Sequence, residues 1–323
     1  MVIAVTGASG FVGAALCEAL VVRGEHVVGI DRPGAPAGHH SGPGRFTFCP
    51  LDVREPGGLD PILARHGVDR LVIGAAITAD EARERRDPAS IIAVNVAAVA
   101  DAIRAAAEAG VERMVFLGSG AVYGDSAYEA EPLVEDVTPS RPRSLYAISK
   151  QAAEATVLRL ADTFGADIVA ARLGTCFGPY ERATGLRDTL SAPLQVLQRA
   201  QAGEPIRLPR PHTRDWLYVR DAVAGILALL DAPALPHRVY NVAAGFRWSV
   251  AAWCACLAER MPGVDWSLSG PEDGTIALYD AADRAPMGIA RILADTDYRP
   301  RYDMAAAADD FLAFLAAEHP RES

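Results

Sequence analysis

Val2-Ile3-Ala4-Val5-Thr6-Gly7-Ala8-Ser9-Gly10-Phe11-Val12-Gly13 opens the chain with a short β-prone run, a glycine-rich turn and the start of a helical pattern reaching about Arg23. Glycines at such a turn allow a tight bend and let the backbone approach a pyrophosphate. The following helix N-terminus supplies N–H donors and a partial positive charge. A glycine triplet alone says little, and its context decides the reading. A second strand, His26 to Ile30, ends on Asp31, 24 residues past Gly7. A carboxylate there accepts hydrogen bonds from both ribose hydroxyls of an adenosine and repels the extra phosphate of NADP. Gly7, Ser9, Gly10, Phe11, Val12, Gly13, Asp31 and Arg32 are therefore expected to hold NAD, with Arg32 directly after the acid keeping NADP as the alternative.

Working outward, strands are expected at Phe46–Cys49, Leu71–Ile73, Met114–Leu117 and Ile168–Ala171. Long helices are expected from about Pro88 to Ala109 and from about Ser144 to Phe164. Continuous apolar strands alternating with helices mean a parallel sheet covered on both faces, a doubly wound α/β domain. After Arg172 the texture changes to denser Pro and Arg with shorter strands, so the expected boundary puts a first domain at 1–174 and a smaller α/β domain at 175–323. Trp216–Val219 and Tyr240–Val242 read as strands returning to the first domain, with 214–244 interleaved. Gly34 to Gly44, rich in Gly, Pro and His, reads as a mobile loop. Asp52 and Val53 follow the third strand, where the acid serves either an adenine amino group or a plain loop. Ala75 and Ala76 end the fourth, either as a small-residue bed for the cofactor or as a tight crossover.

The chain has 323 residues, and 31 basic against 41 acidic residues give a net charge of −10. That balance argues against a nucleic-acid partner. No apolar run approaches the ~18 residues of a membrane span, and the N-terminus carries no basic lead-in or cleavage site, so a cytoplasmic protein is expected. Cys17, Cys49, Cys176, Cys254 and Cys256 are scattered and read as reduced thiols, not as metal ligands.

Tyr146-Ala147-Ile148-Ser149-Lys150 places a phenol and an ammonium on one helix face. A neighbouring ammonium favours the phenolate, so Tyr146 can exchange a proton with a hydroxyl or carbonyl. Ser119, ending the fifth strand, stands at the carboxyl edge of the sheet, where such folds bind ligands.

Over nearly its full length the chain resembles the extended short-chain dehydrogenase/reductase family, in its NAD-dependent epimerase/dehydratase branch. The likeness rests on Thr6-Gly7-x-x-Gly10-x-x-Gly13, Asp31, Asp52-Val53, Asn95-Val96, Ser119-x-x-Val122-Tyr123-Gly124, Tyr146-x-x-x-Lys150, Arg172-x-x-x-x-Phe177-Gly178-Pro179, Arg214-Asp215-Trp216-Leu217-Tyr218-Val219 with Asp221, and Tyr240-Asn241-Val242. It implies a Rossmann sheet, a Ser119/Tyr146/Lys150 catalytic triad, and Lys150 on the nicotinamide ribose. Asn95 is implied beside the cofactor, and Val122, Tyr123, Thr175, Arg182, Arg187 and Arg214 beside the substrate. Glu135 and Pro139 match the acidic, proline-bearing loop before the catalytic tyrosine. A homodimer built on the two long Ala-rich helices is implied as well.

Three departures are informative. Gly120 and Ala121 stand where family dehydratases carry an Asp-Glu pair, which argues against dehydration. Thr175 replaces a diphosphate-binding Asn, and Gly74 a frequent His. Arg182, Arg187, Arg207, Arg210, His212 and Arg214 cluster in sequence and point to an anionic carbohydrate substrate, since Arg binds carboxylate and phosphate bidentately. Trp248 and Trp253 read as core. The expected activity is epimerisation of a nucleotide sugar; the alternative is simple dehydrogenation or reduction of a smaller anionic sugar or keto compound.

Overall fold

The computed structural model describes residues 1–318 apart from 37, 39, 130, 184, 186, 271 and 279. Strands β1 (Val2–Thr6), β2 (His26–Asp31), β3 (Arg45–Pro50), β4 (Arg70–Ile73), β5 (Arg113–Ser119) and β6 (Ile168–Leu173) join Val239–Val242 in one seven-stranded sheet. The order is Val239–Val242, β6, β5, β4, β1, β2, β3, with every pair parallel. The order reverses at β1, whose Thr6 registers with both Ile30 and Ile73. Loops leaving neighbouring strand ends diverge there and open a crevice.

Helices α1 (Phe11–Val22), α2 (Asp60–His66), α3 (Glu81–Arg86), α4 (Pro88–Ile92), α5 (Ala98–Glu108) and α6 (Leu145–Phe164) flank the sheet. On one face α1 and the Val219–Asp231 helix bury Leu16, Leu20, Ile226 and Leu229 against Val5, Val115 and Val169. On the other, α2, α5 and α6 bury Leu63, Ile103 and Val157 against Val28, Leu71 and Phe116. Burial on both faces is why the strands read as unbroken apolar runs. The glycine turn is packed tightly: a Cβ on Gly13 would lie 2.0 Å from the Gly7 carbonyl oxygen, and Gly7 itself has φ +73°. Only glycine lets α1 start directly beneath the turn.

The expected helix from Pro88 is interrupted: between α4 and α5, Ala93–Ala97 forms a π turn. By length and composition the 21-residue stretch Pro88–Glu108 is apolar enough to cross a membrane, which corrects the expectation that no run approaches that size. Here one of its faces is core against β4 and α6, and its polar residues have protein partners. Asp101 accepts from the Gly57 amide at 2.9 Å, and Arg104 pairs with Asp60 at 2.9 Å.

Trp216–Tyr218 does not return to the central sheet. It pairs with Thr175–Phe177 in a two-stranded sheet, and only Val239–Val242 joins the large one. Leu217 is nevertheless core, and the helix that follows packs beside α1. Phe177, Trp216, Trp248 and Trp253 form a separate aromatic core, with Trp248 and Trp253 stacked at 5.5 Å. In the Gly34–Gly44 loop, Ala37 and His39 lie outside the described residues. The Pro36 carbonyl accepts from Ser9 Oγ at 2.7 Å, and His40 packs edge-on against Phe46 at 4.4 Å.

Candidate active site

A cleft of about 1700 Å³ opens at the carboxyl ends of the central strands. At one end it is floored by the glycine turn and walled by Asp31, Arg32, Asp52 and Val53. Ala75 and Ala76 lie along its middle, and Ser119, Tyr146 and Lys150 stand beyond them. The first turn of α1 has no side-chain cap, so Phe11, Val12 and Gly13 present backbone N–H groups where the turn meets the cleft. The Asp31 carboxylate is fixed by the Ser9 amide at 2.9 Å and the Arg32 amide at 2.8 Å. Donors for a pyrophosphate and an acceptor for ribose hydroxyls are thus spaced along one groove, and the residues fit NAD. Asp52 is held by Arg54 at 2.5 Å, and this hydrogen bond keeps its carboxyl below the usual range.

Asn95 is not in the groove. It is fully buried at the π turn, where it accepts from the Ile77 amide at 2.8 Å and donates to the Ile77 carbonyl and to Ser149 Oγ. It therefore fastens the loop after β4 to α6, acting on the site through the backbone and not by contact.

Ser119 ends β5, with its Oγ accepting the Ala121 amide at 3.1 Å. The start of α6 is fixed twice: Ser144 Oγ accepts from Ala147, and Glu84 of α3 accepts from the Leu145 amide at 2.6 Å. Ser119, Thr78 and Tyr146 line the same stretch of the cleft. Burial pushes the Tyr146 pKa above the ordinary value, opposed by the Ser119 and Thr78 hydroxyls and by the Arg187 charge. Lys150 Nζ donates to the Leu117 carbonyl at 2.7 Å and lies over the Phe116 ring. Burial lowers its pKa to about 8.

On the substrate side Thr175, Arg182, Arg187 and Arg214 line the cleft. Arg182 donates to the Ser9 carbonyl at 3.1 Å, and Arg214 pairs with Asp280 at 2.6 Å. Val122 and Tyr123 do not line it. The Gly120–Tyr123 turn carries both into the core, where the Tyr123 hydroxyl joins Asn241 and Arg172. Arg207, Arg210 and His212 also lie outside it: Arg207 pairs with Asp265 and Arg210 with Asp283. Sequence reading missed Thr78 and Met287, which line the cleft. Thr78 follows two small residues at a strand end, a signal that was readable. Met287 reaches the site from far along the chain, and its sulfur would lie 2.5 Å from any Cβ at position 120. A side chain at position 120 would require Met287 to move aside.

Fold and groove together define an NAD-dependent enzyme of the doubly wound class, with two hydroxyls poised at the far end of the groove. Residues 3–243 match the model of the NAD dependent epimerase/dehydratase family, and the chain belongs to that family. A Bacillus subtilis protein described as the uncharacterized UDP-glucose epimerase YtcB is 29% identical over 262 residues, covering 77% of this chain and 79% of that protein. The UDP-glucose 4-epimerase of Thermotoga maritima, solved with UDP-glucose, superposes with a TM-score of 0.82 at 18% identity, covering 98% of this chain and 99% of that one. The UDP-glucuronic acid 4-epimerase of Bacillus cereus, solved with UDP-glucuronic acid and NAD, gives 0.78 at 20% identity, covering 98% and 100%. At these identities the solved structures share the fold.

Proposed function

We propose that this chain is a nucleotide-sugar 4-epimerase-like enzyme that inverts a ring hydroxyl through a transient ketone, with Ser119, Tyr146 and Lys150 as its triad. The observation that carries this reading is that Ser119 and Tyr146 line the same end of an NAD-sized groove, with Gly120 and Ala121 following Ser119 in place of acids. NAD, which the glycine turn and Asp31 would hold, would supply the hydride acceptor for the ketone stage and the hydride donor for its reversal. Ser119 holds the reacting oxygen, and Tyr146 takes its proton and gives it back, so no net oxidation results. Lys150, whose Nζ donates to the Leu117 carbonyl, would also hydrogen-bond the nicotinamide ribose. Gly120 and Ala121, which follow Ser119, carry no carboxyl group to expel water, which favours epimerisation over dehydration.

The remaining cations favour an anionic substrate, a nucleoside diphosphate carrying a hexose or hexuronic acid. Arg214 lies deep at the far end with Thr175 nearby, and Arg182 reaches the glycine turn. The names of the Bacillus and Thermotoga relatives support the same class. The test is incubation with UDP-glucose, UDP-galactose and the two corresponding uronic acids, followed by chromatographic separation. Interconversion without accumulating NADH is expected. Stoichiometric NADH release would overturn the epimerase reading in favour of the dehydrogenase.

The reading includes a homodimer. Ile92 on α4 and Ile148 and Phe164 on α6 are exposed apolar side chains, with small exposed Ala97, Ala152 and Ala155 between them. A monomer mass by light scattering at micromolar concentration would refute it.

A further inference from the structure

We propose that Arg284 is a specificity-determining residue, a guanidinium that selects a substrate with a carboxylate on the ring atom next to the reacting carbinol. The proposal rests on the reading that Ser119 holds the reacting oxygen, and it narrows the nucleotide sugar to a hexuronic acid. Arg284 lines the cleft, and its Nη2 donates to the Gly120 carbonyl at 3.2 Å. Gly120 directly follows Ser119, the last residue of β5. A cation from a distant part of the chain is thus tied one residue away from the proposed reaction centre.

The backbone that carries this arginine is fastened step by step. The Arg284 carbonyl accepts from Arg247 at 3.2 Å. The Ala285 amide donates to the Ala127 carbonyl at 2.9 Å, and the Pro286 carbonyl accepts from the Leu133 amide at 2.9 Å. The Met287 amide donates to the Asp215 carboxylate at 2.9 Å, and the Gly288 amide to the Leu133 carbonyl at 2.8 Å. Residues 284–288 therefore form a strap held against the turn after β5, and the guanidinium is presented from a fixed base. A recognition group held this way loses little further freedom when its ligand arrives.

Charge separates Arg284 from its neighbours. Arg143, Arg187 and Arg214 also line the cleft, and each already pairs with an acid: Asp125 at 2.6 Å, Glu181 at 3.0 Å and Asp280 at 2.6 Å. Asp283, the residue before Arg284, is engaged by Arg210. Among the described residues no carboxylate pairs with Arg284, and the Gly120 carbonyl that it touches is a neutral acceptor. A guanidinium keeps further N–H donors after one such bond and takes a carboxylate bidentately. The position of the anion follows from the sugar. In a hexuronic acid the carboxyl hangs from the ring atom beside the carbinol that epimerises, whereas the diphosphate leaves from the opposite side of the ring. An anion that meets a cation beside Ser119 is thus the carboxylate of the sugar and not its diphosphate.

The test compares UDP-glucuronic acid with UDP-glucose in wild type, Arg284→Gln and Arg284→Lys, by chromatography of the epimers and by binding titration of NAD-saturated protein. Wild type is expected to favour the uronic acid, and Arg284→Gln to lower the ratio of the two kcat/KM values by about 10–100-fold, the worth of a hydrogen bond to a charged group. The loss should fall on KM more than on kcat, since the carboxylate does not react and is held equally before and in the transition state. Arg284→Lys, which keeps the charge without the fork, should retain part of the preference. It also carries the comparison if Arg284→Gln fails to fold. Wild type that binds neither sugar or prefers UDP-glucose would overturn the proposal. So would an Arg284 variant that weakens both sugars in equal proportion, or one that leaves the preference intact. Binding that follows the expected pattern while no epimer forms would instead refute the epimerase reading beneath it.

Discussion

Glu154→Gln should destabilise the protein by about 3–5 kcal/mol. On α6, Tyr146, Lys150 and Glu154 follow one another at four-residue spacing, so one helix face carries both the proposed chemistry and its anchor. Glu154 grips Arg172 of β6 bidentately, at 2.7 and 2.8 Å, with side chains only 9% and 7% exposed. So little water screens the pair that removing one charge strands the other. Arg172 keeps the Tyr123 hydroxyl at 3.0 Å and the Glu135 carbonyl at 3.2 Å, which places the expected loss near the lower end. At ~2.1 cal/mol/K per residue the 323-residue chain unfolds with about 0.7 kcal/mol/K of entropy, so Tm should fall by about 4–7 °C. Urea and thermal unfolding read this directly. A Glu154→Met/Arg172→Leu variant should recover much of the loss, since replacing both ions of a buried pair is often near neutral. A Glu154→Gln protein within about 1 kcal/mol of wild type would refute the reasoning, as would a double variant less stable than the single one.

Tyr146→Phe should lower turnover by about 10²–10⁴-fold while NAD affinity stays near wild type, because the ring still packs and only the hydroxyl is lost; stopped assays and cofactor titration check both halves. Asp31→Ala should weaken NADH binding selectively, and wild-type protein that binds NADPH more tightly than NADH by fluorescence would sink the ribose assignment. Lys150 has a folded pKa of about 8, below its unfolded value of 10.5. The unfolded chain therefore binds the extra proton between those values, and stability should rise with pH across that window by up to about 3 kcal/mol. The urea midpoint of Lys150→Met, measured on both sides of the window, should lack that rise.

The sequence by itself determined the features that short-range backbone geometry controls. A strand, a glycine turn and a helix must lie consecutively, so Gly7 to Gly13 and the acid at the end of β2 were legible as one groove. Four-residue spacing on a helix brings Tyr146 and Lys150 to one face, and a strand end places Ser119 at the same sheet edge. Tertiary structure decided what depends on crossings between distant segments. It brought Thr78 and Arg187 into the cleft that Tyr146 lines, Met287 against Gly120, and Trp216–Tyr218 against Thr175–Phe177 instead of the central sheet. It also turned Asn95, Val122 and Tyr123 into supports for the site by burying them, although motif spacing suggested contact. The reason is that motif spacing fixes where a residue sits along its element, while the direction of its side chain is chosen by whatever the rest of the chain packs against it.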